Sequence, residues 1–148
     1  MSYQTRSEPT ITLTEAQIDF FRQQGYLVLD AITTPDEIAM IRDVYDRLFA
    51  ARAGREVGDQ FDLAGTDEED AEAVLPKLLE PDKYAPELQD TQYKRNATAI
   101  ARQLLGSGDL SSGGHAIMKP TGIGAPTALH QDEAYWGMSP VKCVKRAE

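Results

Sequence analysis

His130 and Asp132, separated only by Gln131, carry the clearest chemistry in this chain. In a strand, side chains alternate with period two, so His130 and Asp132 would project from one face and Gln131 from the other. An imidazole and a carboxylate on one face are two of the three ligands of a non-haem Fe(II) facial triad. That arrangement leaves coordination sites open for a bidentate 2-oxo acid and then dioxygen. The same pair also has a plainer reading, as a surface His–Asp pair or a histidine hydrogen-bonded to a neighbouring carboxylate. The sequence holds one other histidine, His115, and it comes before the pair; none follows Asp132 before the sequence stops at Glu148.

The elements that must position this pair can be read from capping and periodicity. Thr14 with Gln17 three residues on forms a capping box, flanked by Leu13 and Ile18 as a hydrophobic staple, and Gly25 supplies the stop. A short helix therefore precedes the apolar run 26–29, which reads as the first strand. Thr34-Pro35-Asp36-Glu37 starts a second helix, with a threonine cap, proline at the first position and glutamate at the third. Ile38, Ile41, Val44, Tyr45 and Leu48 recur at helical spacing, which carries that helix to about Arg52, with Gly54 closing it. Residues 58–72 are acidic and aperiodic and read as a loop. Residues 74–79 read as a strand that Pro76 confines to an edge or a bulge. A third helix is expected over 91–105, with Tyr93, Ala97, Ile100, Ala101 and Leu104 on one face and Gly106 after it. Strands are expected over 113–119 and 128–136, joined by the turn-rich loop 120–126. Helices come first and strands gather late, so the fold class is α+β with an unfinished sheet.

Composition narrows the function. The chain has 148 residues, 41% hydrophobic and 26% charged, which suits one domain or a piece of a larger one. A net charge of -9 argues against nucleic-acid binding, and no run reaches the length of a membrane span. One cysteine, Cys143, excludes an internal disulfide and suits a cytoplasmic setting, as does an amino terminus without an apolar signal core. Asn96-Ala97-Thr98 matches a glycosylation acceptor, which we read as a chance match. The first eleven residues are polar and expected to form a flexible arm ahead of a unit spanning 12–148.

The segment from Met118-Lys119-Pro120 through a glycine-containing loop to His130-Gln131-Asp132-Glu133-Ala134-Tyr135-Trp136 resembles the phytanoyl-CoA dioxygenase family. Leu13 to Phe21 and Gly25-Tyr26-Leu27-Val28 are similar to that family's amino-terminal helix and first strand. The resemblance runs in order through residues 12–138. It implies Fe(II)- and 2-oxoglutarate-dependent hydroxylation of a small organic substrate on a double-stranded β-helix, a jelly-roll or cupin-like fold.

By position, the resemblance makes His130 and Asp132 iron ligands and places Lys77 and His115 at the 2-oxoglutarate pocket. Lys77 has the alternative of a solvated loop charge, and His115 of a satisfied strand histidine. Gln131 is expected to pack, and Tyr135 and Trp136 either wall a substrate pocket or belong to the core. The family places a second histidine and then an arginine far downstream, and the only arginine after Asp132, Arg146, lies too close for that role. The chain is therefore expected to represent the amino-terminal portion of such an enzyme, with weak metal binding and little turnover alone. The competing expectation is a catalytically inactive module that binds a partner, or a homo-oligomer formed through an exposed sheet edge.

Overall fold

A computed structural model describes residues 8–66, 72–106, 110 and 114–130. Four helices and a three-stranded antiparallel sheet make it α+β: α1 (Glu15–Gln24), α2 (Pro35–Ala50), β1 (Gln60–Asp62), β2 (Pro76–Leu79), α3 (Pro81–Tyr84), α4 (Gln92–Leu105) and β3 (His115–Ile117). The sheet order is β1-β2-β3. A double-stranded β-helix is not seen among the described residues.

The three long helices each start at a threonine cap, of which Thr14 and Thr34 are expected from the sequence and Thr91 is not. Thr14 and Gln17 form the full capping box of α1, and Gly25 ends it in the left-handed conformation. Thr34 and Thr91 accept the N–H groups of Glu37 and Lys94 to cap α2 and α4. Glu37 does not fold back on its own helix. Its carboxylate accepts the Thr33 hydroxyl and reaches across to α4, taking the N–H groups of Gln92 at 2.7 Å and Tyr93 at 2.8 Å. Glu37 and Thr91 together satisfy three of the four N–H groups that a helix start leaves without partners.

The core forms where α2 meets the sheet: Val44 and Leu48 pack with Leu78, Ala85 and Leu88. Asn96, 1% exposed, fastens a second region. Its Oδ1 accepts the Thr10 N–H and its Nδ2 donates to the Ile32 carbonyl, both at 2.7 Å. Those bonds and its burial close Asn96 to glycosylation. They also fasten Thr10 to α4.

Three local expectations need correction. Residues 26–29 form no strand, although exposure alternates along them as in one. A run of apolar residues becomes a strand only when another strand meets its backbone, and Tyr26 to Ala31 make no hydrogen bond with their backbone groups among the described residues. The acidic stretch 58–72 is not all loop, because β1 lies inside it. Finally, β2 is the central strand of the described sheet, not an edge. Pro76 is tolerated because it is the first residue of the strand, where its missing N–H removes one bond at the end of the ladder.

Candidate functional site

The register of β2 places two candidate residues on one surface. Lys77 faces Ile117, Leu78 faces Ala116 and Leu79 faces His115. Glu80 donates to Gly114 at 2.9 Å and Met118 to Pro76 at 3.0 Å, which frames the ladder between them. Lys77/Ile117 and Leu79/His115 are consequently the non-hydrogen-bonded pairs, whose side chains approach most closely. On the other side of β2, Phe61 faces Lys77 and Gln60 faces Leu78.

Leu78, fully buried, and Gln60, 5% exposed, mark the face turned toward the helical core. Phe61, Lys77, Leu79, His115 and Ile117 therefore share the opposite face, where His115 and Ile117 are exposed and the other three half-buried. The family resemblance suggested Lys77 and His115 separately; pairing brings them to one surface, on neighbouring strands.

Beyond β3 the chain turns, with the Gly124 N–H on the Pro120 carbonyl at 2.9 Å, and reaches His130, which is exposed. Residues 128–130 carry no strand assignment. His130 Nδ1 lies 2.7 Å from the Ala128 carbonyl oxygen. A carbonyl can only accept, so this contact suits a ring with the hydrogen on Nδ1, and in the neutral form of that tautomer the lone pair is on Nε2. Metal-binding imidazoles adopt this arrangement, donating one ring N–H to a backbone carbonyl. The chemistry of His130 thus fits an iron ligand. Asp132, Gln131, Tyr135, Trp136, Cys143 and Arg146 lie outside the described residues. Among the described residues, no group of three His, Cys, Asp or Glu side chains is placed to hold a metal.

Two carboxylates brace the approach to the sheet. Asp62, at the end of β1, accepts N–H groups from Val74 at 2.7 Å and Leu75 at 2.9 Å, drawing together the neck of the acidic loop. Burial pushes its carboxyl up, but the N–H groups of Val74, Ala64, Leu75 and Gly65 outweigh that and hold it below the usual carboxylate range. Asp59 accepts from Lys83 at 2.6 Å and from the Tyr84 hydroxyl, and both bonds lower its pKa.

A cavity of about 870 Å3 lies between the arm, the start of α2 and the start of α4, and none of Lys77, His115 and His130 lines it. A smaller one of about 330 Å3 sits between the end of α2 and β1, with Arg52, Arg55 and Phe61 in its wall. We place the candidate site by its chemistry, on the Lys77–His115 face, rather than by cavity size. Phe61 escaped sequence reasoning because β1 is three residues long and too short for its alternation to register. The alternation in Gln60-Phe61-Asp62-Leu63 was the only available signal.

Comparison with known proteins bears on this arrangement. Residues 21–146 match the model of the phytanoyl-CoA dioxygenase (PhyH) family. A curated phytanoyl-CoA dioxygenase of Arabidopsis thaliana is 24% identical over 163 aligned residues, covering 90% of this chain. The chain spans 58% of the length of that relative. No solved structure matches the chain. No helix among the described residues is long and apolar enough to cross a membrane.

Proposed function

The chain belongs to the phytanoyl-CoA dioxygenase family, and from that premise we propose that it is the Fe(II)- and 2-oxoglutarate-binding portion of a dioxygenase that hydroxylates a small organic substrate. His130, through Nε2, and Asp132 would hold the iron. Iron, when bound, supplies the redox chemistry that couples 2-oxo acid decarboxylation to hydroxylation of a C–H bond. Lys77 offers an ammonium to a cosubstrate carboxylate, and His115 offers an imidazole on the same face.

The observation that carries this reading is the placement of Lys77. It is half-buried, shares a sheet face with His115, and its ammonium makes no ion pair or hydrogen bond among the described residues. Lys83 and Lys94, by contrast, are each held by an aspartate at 2.6 Å. An ammonium without a counter-charge among the described residues is available to an incoming anion. With only His115 and His130 available, and His115 beside Lys77, the ligand set would be one imidazole and one carboxylate. Metal binding by this chain is therefore expected to be weak, with slow turnover.

Anaerobic calorimetric titration of 2-oxoglutarate into the 148-residue chain tests the reading. Binding should require Fe(II) and should disappear in His130→Ala. Equal binding with and without Fe(II) would contradict it.

The second reading, a self-associating or partner-binding module without activity, draws on residues 26–31. Their backbone groups are unpaired among the described residues, and Tyr26 and Val28 are 56% and 77% exposed. An exposed segment with unpaired backbone groups can accept a strand from another chain. Light scattering after size exclusion separates the two: a dimer broken by Val28→Lys favours the module, and a monomer at all concentrations removes it.

A further inference from the structure

We infer that Phe61 is a positioning residue for the cosubstrate: it steadies Lys77 so that the ammonium meets a 2-oxoglutarate carboxylate in a fixed place. The inference rests on the 2-oxoglutarate reading above and extends it to a residue outside the sequence motifs. Phe61 lies directly across from Lys77 in the ladder between β1 and β2, and Ile117 lies directly across on β3. Lys77 is thus the middle of a cross-strand row with an apolar residue on each side. Directly opposite residues have Cβ atoms about 4.5–5.5 Å apart, within reach of an aromatic ring and a lysine stem.

Two physical consequences follow from that row. A lysine has a flexible four-carbon stem, and ordering it costs rotamer freedom. Side chains that flank the stem restrict it before a ligand arrives, so less freedom is lost on binding. Apolar neighbours also leave fewer waters around the ammonium, which strengthens its attraction for a carboxylate. Of the two neighbours, Ile117 is 45% exposed and Phe61 half-buried. Neither neighbour offers a charge that would compete for the ammonium, unlike Asp59 beside Lys83 or Asp82 beside Lys94.

The test is calorimetric titration of 2-oxoglutarate into the full chain loaded with Mn(II), a redox-silent stand-in for iron. Wild type would be compared with Phe61→Ala, Phe61→Leu, Lys77→Met and the double variant Phe61→Ala/Lys77→Met. Phe61→Ala should weaken 2-oxoglutarate binding on the order of tenfold, equivalent to about 1.4 kcal/mol. Phe61→Leu should recover most of that loss. The double variant should bind no more weakly than Lys77→Met alone, because the phenylalanine acts through the lysine. Mn(II) affinity should be the same in every variant.

A purely structural phenylalanine would lower Mn(II) and 2-oxoglutarate affinity together, additively with Lys77→Met, and that result overturns the inference. Wild-type affinity in Phe61→Ala, with a loss in Lys77→Met, overturns it while sparing the 2-oxoglutarate reading. Absence of metal-dependent 2-oxoglutarate binding in wild type overturns that reading and this inference with it. Should Phe61→Ala fail to fold, Phe61→Thr, which suits a strand, is read by the same criteria.

Discussion

Lys77 and His115 project from one face of the sheet on neighbouring strands, two residues out of register, because Ile117 is the direct partner of Lys77 and Leu79 that of His115. Both residues can therefore meet one small ligand from the same side. Lys77→Met should weaken metal-dependent 2-oxoglutarate binding by about 1.5–3 kcal/mol, the usual worth of a hydrogen bond to a charged group. His115→Ala should weaken it less, and neither change should alter Mn(II) affinity. Calorimetric titration reads both, and a fall in Mn(II) affinity in His115→Ala would move that histidine to the metal.

Glu37 joins α2 to α4 by accepting the Gln92 and Tyr93 N–H groups. Glu37→Ala leaves two helix-start donors without their acceptor and should cost about 2–3 kcal/mol. For a domain of this size, Tm would fall by roughly 5–10 °C. Glu37→Gln keeps one acceptor oxygen and should fall about half as far in thermal unfolding followed by circular dichroism.

Gly54 and Gly25 have nearly the same backbone, with φ of 79° and 80°, but different surroundings. A Cβ at Gly54 would lie 2.5 Å from the Tyr84 hydroxyl oxygen, whereas a Cβ at Gly25 meets nothing within 4 Å. Gly25→Ala should cost only the left-handed penalty of about 1–2 kcal/mol. Gly54→Ala must also displace Tyr84 from Asp59 and should cost about 1 kcal/mol more, the worth of one lost hydrogen bond. Urea denaturation of the two variants gives the difference directly.

Asp62 ties β1 to the segment leading into β2 only while ionised. Its folded pKa is lowered, so its contribution is complete above the unfolded carboxylate pKa of about 3.9 and is lost as pH falls through the lower folded value. Asp62→Asn should lower Tm at pH 7 and flatten the fall in Tm between about pH 5 and 2. Asp59 and Asp82 also have lowered pKa values, so part of the acid sensitivity should remain. Thermal scans across that range, variant against wild type, supply the check.

Two helix starts were legible in the sequence because capping is local: Thr14 and Thr34 each act within three residues of themselves, as does Thr91, whose helix is read from its periodicity instead. Strands were less so, because pairing is not local. The run 26–29 has the composition of a strand without a partner among the described residues, while Gln60–Asp62 has a partner without a recognisable composition. The site divided the same way. Spacing and resemblance singled out His130 and Asp132 along the chain. That Lys77, His115 and Phe61 share one face depends on register across three strands, which no stretch of sequence states. Glu37 reads in sequence as a cap for its own helix and is used for another, because α4 begins within its reach.

The central claim is that His130 and Asp132 hold the metal, and Mn(II) titration of single variants tests it most directly. Wild type should bind one Mn(II) per chain, weakly, with His130→Ala and Asp132→Ala each abolishing binding. Gln131→Ala, on the opposite side if the segment is extended, should leave it unchanged. Undiminished Mn(II) binding in both His130→Ala and Asp132→Ala would contradict the account.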